Sequence, residues 1–310
     1  MRILVVGAGA TGGYIGGRLM QAGQDVTFLV RPGRARHLQE RGLRIVGLGE
    51  NTILIPKLII SGEVAETFDL VILAVKATAL HQAIEDLAPA VGPDTLILPL
   101  LNGLGHIDAL VKRFGARSVL GCAVKVVTTV DTDGDVVRLA DLHSLTYGTL
   151  GPDDSRSLSD VHNVLSDIGF DTSESEDIVG VMWAKWVFIA STGAVNCLMR
   201  GTIGEVAAVP GGTAFAEAVV SECAAIAAAA GHPVPRHELH NTRTTVTTPG
   251  SPFASSLYRD LVQGNSIEGN HIFGDLVSRA RDLDVPVPLL DLVTAHLEVH
   301  QNRVEAQRAG

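Results

Sequence analysis

The sequence predicts an α/β protein with two domains: a doubly wound, mostly parallel sheet over residues 1–175, followed by an all-helical domain over residues 176–310. Three observations support this. An uncharged apolar run, Ile3–Val6, leads into a glycine-rich turn and a helical segment, and a second apolar run, Asp25–Val30, follows at once. Further strand-like apolar runs continue through the first half of the chain. From Ile178 onward the pattern predicts helices alone.

The first turn has the sequence Gly7-Ala8-Gly9-Ala10-Thr11-Gly12, a G-x-G-x-x-G pattern between a strand and a helix. Gly7 permits the tight turn, Gly9 lets a pyrophosphate approach the backbone, and Gly12 lets the helix pack closely against the strand. The N–H groups that open the helix, from Ala10, Thr11 and Gly12, then point at the phosphates. The sequence therefore predicts a Rossmann-type dinucleotide site. A glycine-rich turn without a ligand is the alternative.

The residues after the second strand bear on the choice of dinucleotide. A fold that selects NAD usually carries Asp or Glu at this strand end. This chain has Val30 and then Arg31, with Arg34 and Arg36 close behind. A guanidinium suits a 2′-phosphate because its planar fork donates two charge-assisted hydrogen bonds. We therefore predict NADP(H) as the cofactor, with solvated surface arginines as the alternative.

Composition excludes several other classes of protein. The net charge of −10 argues against a nucleic-acid partner. Cys122, Cys197 and Cys223 lack metal-type spacing and are interpreted as small buried hydrophobic residues, and the 11 histidines form no H-E-x-x-H pattern, so no metal site is expected. No apolar stretch is expected to be long enough to span a bilayer, and no signal peptide is recognised. These features predict a soluble, cytoplasmic protein without a membrane partner.

Two later strands of the first domain end in polar residues. The run Phe68–Val75 leads into Lys76, and Thr95–Leu101 ends at Asn102 before a glycine. Open parallel sheets bind ligands outside the carboxyl ends of their strands, so Lys76 and Asn102 are predicted to contact the cofactor. The alternatives are a solvated lysine at a helix start and an asparagine that only forms a turn.

The rest of the first domain predicts further strands and a boundary. Leu43–Val46 and Thr52–Ile60 predict a hairpin, and two longer strands around a turn at Asp131 predict antiparallel additions to the same sheet. The segment 151–155 is expected to cap a helix. The acidic, serine-rich stretch 171–177 shows no apolar periodicity, and the domain boundary is placed there.

The second domain begins with a helix, Ile178–Leu198, that is apolar nearly all round. Lys185 lies in its middle, on a stripe shared with Ile189, Thr192 and Asn196. The stripe is interpreted as facing a polar cleft, where an ammonium donates a proton or polarises a carbonyl. A lysine whose ammonium only reaches the surface is the alternative.

Two further helix starts in this domain carry candidate functional residues. Ser251-Pro252 predicts a helix start that places Ser255 and Ser256 in the first turn, where free N–H groups favour a carboxylate. Glu268 opens the next helix, where an acid also commonly compensates the helix dipole.

In order and spacing these residues resemble the ketopantoate reductase family, also called 2-dehydropantoate 2-reductases, over essentially the whole chain. In the first domain the glycine turn, Arg31, Val75-Lys76 and Leu101-Asn102-Gly103 carry the resemblance. The second-domain motifs that carry it are Met182-Trp183-x-Lys185, Gly204-Glu205, Ser255-Ser256-x-x-x-Asp260, Glu268 and Gly274. The block around Lys185 and the spacing from Ser256 to Glu268 are the more specific features.

The resemblance implies NADPH-dependent reduction of a 2-keto acid to a 2-hydroxy acid, in a cleft between the two domains. It implies that Lys185 is the general acid that protonates the developing alkoxide and that Glu268 organises this lysine and the nicotinamide ribose. Ser256 would bind the substrate carboxylate. On the cofactor side the resemblance implies contacts from Asn102 to the nicotinamide and from Arg31 and Lys76 to the adenosine phosphates.

The chain departs from the family at three substrate positions. Ketopantoate-reducing members carry Asn four and eight residues after the lysine and three residues before the carboxylate-binding serine, whereas this chain has Ile189, Gly193 and Phe253. Replacing amides by apolar groups favours a more apolar 2-keto acid, branched or aromatic. Thr192 and Asn196 are the candidates for any remaining polar contact with the substrate.

Two other functions stay open at this point. One is another two-domain hydroxyacid dehydrogenase, against which the spacing from Ser256 to Glu268 argues. The other is a non-catalytic NADP(H)-binding sensor, against which the presence of both Lys185 and Glu268 argues. The apolar C-terminal helices also suggest a homodimer.

Overall fold

The chain divides into two units in a computed structural model that describes residues 1–151 and 157–309. The first, called the sheet unit, contains residues 1–101 and 106–178. The second, called the helical unit, contains residues 179 onward and also the short segment Asn102–Gly105. The helix cap predicted at 151–155 lies almost wholly outside the described residues.

A five-stranded parallel sheet forms the first layer of the sheet unit. Across the sheet its strands are β5 (Lys57–Ile60), β2 (Asp25–Val30), β1 (Arg2–Val6), β6 (Phe68–Leu73) and β7 (Val91–Pro99). The central strand β1 is buried on both faces, because helices cover such a sheet on each side. This arrangement confirms the predicted doubly wound fold.

Register places the carboxyl ends of three strands at one edge. Val6 of β1 pairs with Leu29 of β2 and with Leu73 of β6. The backbone N–H of Gly7 donates to the Leu29 carbonyl oxygen and that of Ala74 donates to the Val6 carbonyl oxygen, both at 3.0 Å. The residues that follow these strands therefore lie side by side.

A second sheet lies in the same unit. Its strands are β3 (Leu43–Gly47), β4 (Glu50–Leu54), β8 (Leu120–Val130), β9 (Val136–Thr149) and β10 (Asp171–Glu174). β9 pairs with β8 antiparallel and with β3 and β10 in parallel, and β3 pairs with β4 as a hairpin.

Three predictions about these strands are wrong. β8 and β9 are antiparallel as expected, but they build the second sheet instead of extending the first. The segment Lys57–Ile60 does not continue the hairpin: it follows Pro56 and pairs with β2 in the parallel sheet. The stretch 171–174, expected to be irregular, is the strand β10, whose residues are all at least partly exposed and so show no apolar period.

Among the described residues of this unit, five α-helices accompany the sheets. They are α1 (Ala10–Gln21), α2 (Pro32–Arg41), α3 (Leu80–Leu87), α4 (Gly105–Phe114) and α5 (Ser159–Ser166). The segment 77–90 consists of α3 between two 3₁₀ turns, Ala77–Ala79 and Ala88–Ala90. Pro89 in the second turn cannot donate the N–H that a continuing α-helix needs.

The helix α1 lies between the two sheets, and its glycines make this possible. A Cβ on Gly16 would collide with the Phe28 ring of the parallel sheet. A Cβ on Gly13 would lie 2.9 Å from Val136, and one on Gly17 would lie 2.5 Å from Ile45, both in the second sheet. Glycines therefore let both sheets approach the helix backbone closely on two faces.

An ion cluster joins α1 to the second sheet. The Arg18 guanidinium donates to both Glu50 carboxylate oxygens, at 2.8 and 2.6 Å, and Arg138 donates to the same carboxylate at 3.2 Å. The three side chains are between 12 and 17% exposed. Burial alone would raise the pKa of Glu50, but the hydrogen bonds from Arg18 and Arg138 outweigh it and hold that pKa below its ordinary value.

The helical unit contains no strand among its described residues. Its α-helices are α6 (Ile178–Met199), α7 (Ile203–Ala207), α8 (Gly212–Ala229), α9 (Arg236–Thr247), α10 (Ser256–Val262), α11 (Asp275–Asp282) and α12 (Pro288–Ala309). A π-helical turn, Asn270–Gly274, precedes α11. The helix α6 supplies much of the core, with Trp186, Val187, Ala190 and Val195 fully buried.

Length and hydropathy alone would let two helices of this unit cross a membrane, α6 and α8. The expectation that no stretch is long enough is therefore wrong. In the apolar window of α6, 61% of the residues are buried inside the protein, which is typical of a core helix.

The three cysteines are also buried as predicted, and burial raises the pKa of Cys197 and of Cys223 to about 12.

Candidate active site

The glycine turn combines tight and open positions. Gly7 has a positive φ of 95°, and a Cβ there would lie 3.0 Å from the Ala74 carbonyl oxygen. A Cβ on Gly12 would collide with the Gly7 carbonyl oxygen and lie 2.8 Å from the Ala74 side chain. No described atom lies within 4 Å of the Cβ position of Gly9. The first and third glycines are thus required by packing, whereas the second leaves open space where a pyrophosphate fits.

The N-terminus of α1 also suits a phosphate. Gly9 is the N-cap and contributes no side-chain cap, and the first helical turn, Ala10-Thr11-Gly12-Gly13, carries no acid. Ala10 and Thr11 are partly exposed. Their N–H groups and the positive end of the helix dipole favour an anion at this place. The residues present therefore fit a dinucleotide.

Arg34 reaches back over the glycine turn from the first part of α2. Its Nε donates to the Ala8 carbonyl oxygen at 3.0 Å, and its Nη1 donates to the Gly134 carbonyl oxygen, between β8 and β9, at 2.8 Å. Burial lowers the pKa of this guanidinium and the charge of Asp135 offsets part of the effect. Arginine nevertheless remains charged at physiological pH. Arg34 thus connects the glycine turn to the segment between β8 and β9.

The other charged residues at this edge are exposed. Arg31 follows β2 directly and is the N-cap of α2, and Arg36 lies on the outer side of that helix. Lys76 is exposed two residues after Ala74, the residue that touches Gly7 and Gly12. The structure therefore brings Arg31 and Lys76 to the same edge as the glycine turn.

Asn102 lies in the helical unit, in a turn packed against other segments of that unit. The next residue, Gly103, has a φ of 76°, and a Cβ there would lie 3.2 Å from the His271 carbonyl oxygen and 3.7 Å from the Trp186 ring. Trp186 directly follows Lys185. The turn that carries Asn102 is therefore in contact with the helix that carries Lys185.

Lys185 is partly exposed on α6, whereas two neighbouring tryptophans are buried. Trp183 is 2% exposed and Trp186 is fully buried. Phe188 and Ile189, one turn further along, are partly exposed like the lysine. Val181 and Ala184, before the lysine, are also partly exposed. The side of α6 that carries Lys185 is therefore partly exposed over about two turns and is apolar apart from the lysine.

Thr192 and Asn196, predicted to contact the substrate, are buried instead. The Thr192 hydroxyl donates to the Phe188 carbonyl oxygen within the helix at 2.9 Å. The Asn196 amide donates to the Gly201 carbonyl oxygen at 2.8 Å, and its oxygen accepts the N–H of Ser255 at 2.9 Å. Both side chains are buried and hydrogen-bonded within the protein, which argues against a direct substrate contact, and Asn196 holds the start of α10.

That start differs from the predicted one. The helix α10 begins at Ser256, and Ser255 is its N-cap, accepting the N–H of Tyr258 at 3.2 Å. Ser251 and Pro252 precede the helix, where the Ser251 carbonyl oxygen accepts the N–H of Gly204 at 2.9 Å. Ser256 itself is exposed at the first helical position.

Glu268 is partly exposed and precedes the π-helical turn. Its carbonyl oxygen accepts the N–H of Ile272 at 3.1 Å. The Ile272 carbonyl oxygen in turn accepts the indole N–H of Trp186 at 3.0 Å. This bond ties the segment after Glu268 to the helix of Lys185, and no motif in the sequence indicates it.

The three positions where the family's asparagines are absent have apolar surroundings. The Phe253 ring meets the Phe188 ring edge to face, with centroids 6.2 Å apart. The space beside Gly193 is filled by Phe273, whose ring lies 3.4 Å from the Cβ position of that glycine. The partly exposed residues here, Phe188, Ile189 and Phe253, are all apolar and are called the wall near Ile189, whereas Gly193 and Phe273 are buried.

A parallel sheet with an open glycine turn, joined to a helical unit with a lysine on an apolar core helix, defines a two-domain dinucleotide-dependent oxidoreductase. Residues 3–152 match the family profile described as ketopantoate reductase PanE/ApbA. Residues 177–301 match the profile described as ketopantoate reductase PanE/ApbA C terminal. The chain therefore belongs to the ketopantoate reductase family, which confirms the resemblance predicted from the sequence. Family membership supports a nicotinamide-dependent keto acid reductase.

Individual relatives cover nearly the whole chain. An uncharacterized oxidoreductase, YkpB of Bacillus subtilis, is 33% identical, with 97% of this chain and 99% of the relative covered. A 2-dehydropantoate 2-reductase of Halobacterium salinarum is 30% identical, with 94% and 95% covered. A structure of D-mandelate dehydrogenase with NADH and anilino(oxo)acetate is 21% identical with a TM-score of 0.89, covering 98% of this chain and 100% of that one. At this identity the structural likeness shows the fold alone.

Proposed function

We propose that the protein is an NADPH-dependent reductase that converts an apolar 2-keto acid to a 2-hydroxy acid. One observation carries the proposal. Within the helical unit, the turn of Asn102, the helix of Lys185 and the segment after Glu268 all meet at Trp186. This convergence brings together three segments that are far apart in sequence and that each carry a predicted functional residue, and it supports the proposal.

The cofactor part of the proposal rests on the glycine turn and Arg31. The open space at Gly9 and the exposed N-terminus of α1 would hold the pyrophosphate. The exposed guanidinium of Arg31, and Lys76 at the same edge, would bind the phosphates of the adenosine end. A 2′-phosphate gives Arg31 a ligand, and for this reason we propose NADP(H) over NAD(H).

The chemical step assigns a role to each remaining residue. The bound cofactor would supply the hydride to the carbonyl carbon of the substrate. Lys185, as an ammonium, would stabilise the charge that develops on the carbonyl oxygen and then transfer its proton to that oxygen. Glu268 would orient this ammonium, and Ser256 would hold the substrate carboxylate. Asn102 would position the nicotinamide amide.

The substrate class follows from the wall near Ile189. Phe188 and Phe253 meet edge to face and are partly exposed, as is Ile189. A site built to hydrogen-bond a substrate hydroxyl discriminates strongly through those bonds, and this wall offers rings and an isoleucine instead. We therefore propose branched aliphatic or aromatic 2-keto acids in place of ketopantoate.

A panel of 2-keto acids, followed through NADPH absorbance, tests the proposal. We expect kcat/KM for 4-methyl-2-oxopentanoate or phenylpyruvate to exceed that for ketopantoate by about 100-fold or more. Preferred turnover of ketopantoate would contradict the substrate class. No turnover of any 2-keto acid, despite tight NADPH binding, would contradict the reductase and favour a sensor.

Three further parts of the proposal concern location, partners and oligomeric state. We propose that the protein is soluble and cytoplasmic, that it has no nucleic-acid or membrane partner, and that it forms a homodimer. Exposed Leu292 and Val299 on α12 support self-association. Light scattering coupled to gel filtration tests this directly. A mass of one chain at micromolar concentration would contradict the dimer.

A further inference from the structure

Trp186 is among the largest fully buried side chains, and it lies next to Lys185 in the sequence. Its indole N–H donates to the Ile272 carbonyl oxygen at 3.0 Å. Its ring lies 3.7 Å from the Cβ position of Gly103, in the turn of Asn102. One side chain therefore touches two segments that approach α6 from distant parts of the sequence.

The backbone that accepts the indole hydrogen bond has an unusual geometry. Ile272 lies in the middle of the π-helical turn Asn270–Gly274, four residues after Glu268. π-Helical turns interrupt the regular α-helical hydrogen-bond pattern and are frequent at functional sites. A side-chain donor to a carbonyl of such a turn is one way to stabilise it. The indole N–H of Trp186 supplies this donor.

The ring is held in place on its other sides. The Arg279 guanidinium lies 5.7 Å from the ring centroid, and its Nε donates to Asp275 at 3.1 Å. The Trp183 ring lies 5.0 Å away on the preceding turn of α6. A side chain fixed in this way has one orientation, so its contacts with Ile272 and Gly103 fix those segments as well.

We propose that Trp186 is a positioning residue, which sets the positions of Glu268 and Asn102 relative to Lys185. The proposal rests on the proposed function for what these three residues do. Trp186 touches no reacting atom in this account. It acts through the indole N–H, which holds the segment after Glu268, and through the ring, whose Cε2 atom packs beside Gly103 in the turn of Asn102. A displacement of about 1 Å at such groups costs up to about 100-fold in rate.

Trp186→Phe is the variant of choice, because it keeps most of the ring and removes the indole donor. Val187→Ala is the matched control: Val187 is also fully buried in α6, and lies about 200° around the helix from Lys185. Both variants remove buried volume from one helix, but Val187→Ala leaves the contacts with Ile272 and Gly103 unchanged.

Two measurements are made on both variants. The first is hydrogen exchange of the peptides covering residues 102–105 and 268–275, which needs no turnover. The second is kcat for the preferred 2-keto acid together with the Kd of NADPH. For Trp186→Phe we expect faster exchange in both peptides and a kcat lowered by about 10- to 100-fold, with the Kd nearly unchanged. For Val187→Ala we expect a lower melting temperature but the wild-type kcat.

The outcomes separate the two proposals. Unchanged exchange of both peptides in Trp186→Phe, or a kcat equal to that of the wild type, overturns the positioning role. An equal loss of kcat in Val187→Ala also overturns it, because any core defect in α6 would then suffice. A wild-type protein that reduces no 2-keto acid overturns the proposed function instead, and the exchange result alone then decides whether Trp186 fixes the two segments.

Discussion

The Nε of Arg34 donates a hydrogen bond to the carbonyl oxygen of Ala8 at 3.0 Å, inside the glycine turn. The same guanidinium donates from Nη1 to the Gly134 carbonyl oxygen at 2.8 Å. The glycine turn is therefore attached to the hairpin of β8 and β9 through one side chain. A lysine could not make both bonds, since its single ammonium lacks the planar fork.

Arg34→Lys should weaken NADPH and NADH to the same extent. The change removes about one charge-assisted hydrogen bond from the turn, which corresponds to about tenfold in Kd. The turn serves the pyrophosphate that both cofactors share, so the loss should not depend on the 2′-phosphate. Fluorescence titration of both cofactors measures this. An effect on NADPH alone would show that Arg34 binds the 2′-phosphate directly.

Arg31→Ala should show the opposite selectivity. Its exposed guanidinium is proposed to bind the 2′-phosphate, and loss of a charge-assisted contact should raise the Kd of NADPH by about 10- to 100-fold. The Kd of NADH should remain nearly unchanged. Arg36→Ala, an exposed arginine on the same helix, is the control and should affect NADPH less. Equal weakening of both cofactors by Arg31→Ala would contradict the choice of NADP(H).

The two glycines of the turn should respond differently to alanine. Gly12→Ala introduces a Cβ against the Gly7 carbonyl oxygen and the Ala74 side chain, so it should lower the melting temperature. Gly9→Ala meets no described atom within 4 Å and should leave stability unchanged. It should nevertheless raise the Kd of NADPH by about tenfold or more, because the methyl group occupies the pyrophosphate space.

Gly33→Ala provides the control for both effects, since its Cβ position in α2 also has no described neighbour within 4 Å. It should change neither the melting temperature nor the Kd of NADPH. Full NADPH affinity in a folded Gly9→Ala variant would show that the open space at Gly9 does not hold the cofactor.

Glu50→Gln should destabilise the sheet unit. The change leaves Arg18 and Arg138 without their carboxylate partner in a largely buried position. The free energy of unfolding should therefore fall by about 2 kcal/mol, a value between those typical of exposed and of buried ion pairs. Glu66→Gln, at the exposed pair with Arg2, should have little effect. Urea titration measures both. Equal stability of Glu50→Gln and wild type would contradict a structural role for the cluster.

The same carboxylate predicts a pH dependence. Its pKa in the folded protein lies below the ordinary value, so its contribution is complete above the unfolded pKa of about 4.3. The contribution is lost as the pH falls through the lower folded value, because the unfolded chain then takes up the proton first. The stability difference between wild type and Glu50→Gln should therefore shrink below about pH 4. A difference that grows on acidification would contradict this.

The sequence predicted the parallel sheet well because its strands are uniformly apolar. It failed where the fold depends on which sheet a strand joins. Thr52–Ile60 is mostly apolar on both sides of Pro56, yet the chain leaves one sheet at this proline and enters another. The proline was the available signal, since it favours a break or an edge. β10 has no buried residue, so no apolar period could reveal it.

The surroundings of the candidate functional residues were also only partly predictable from the sequence. The stripe on α6 places Lys185, Thr192 and Asn196 on one side of the helix, but it cannot show how far along the stripe the side chains stay open. The Asn196 amide is hydrogen-bonded to Gly201 and Ser255, and Ser255 lies in a loop about 60 residues away in the sequence. The bond from Trp186 to Ile272 likewise spans 86 residues. Such contacts depend on tertiary packing that no local pattern encodes.

The most direct measurement for the whole account is the effect of Lys185→Ala on kcat and on the Kd of NADPH, with exposed Lys125→Ala as the control. A general acid typically contributes about 100- to 10,000-fold, so kcat should fall within this range while the Kd changes by less than about threefold. Lys125→Ala should change neither quantity. A kcat of Lys185→Ala close to that of the wild type, or a loss of kcat matched by an equal loss of NADPH affinity, would contradict proton transfer from this ammonium.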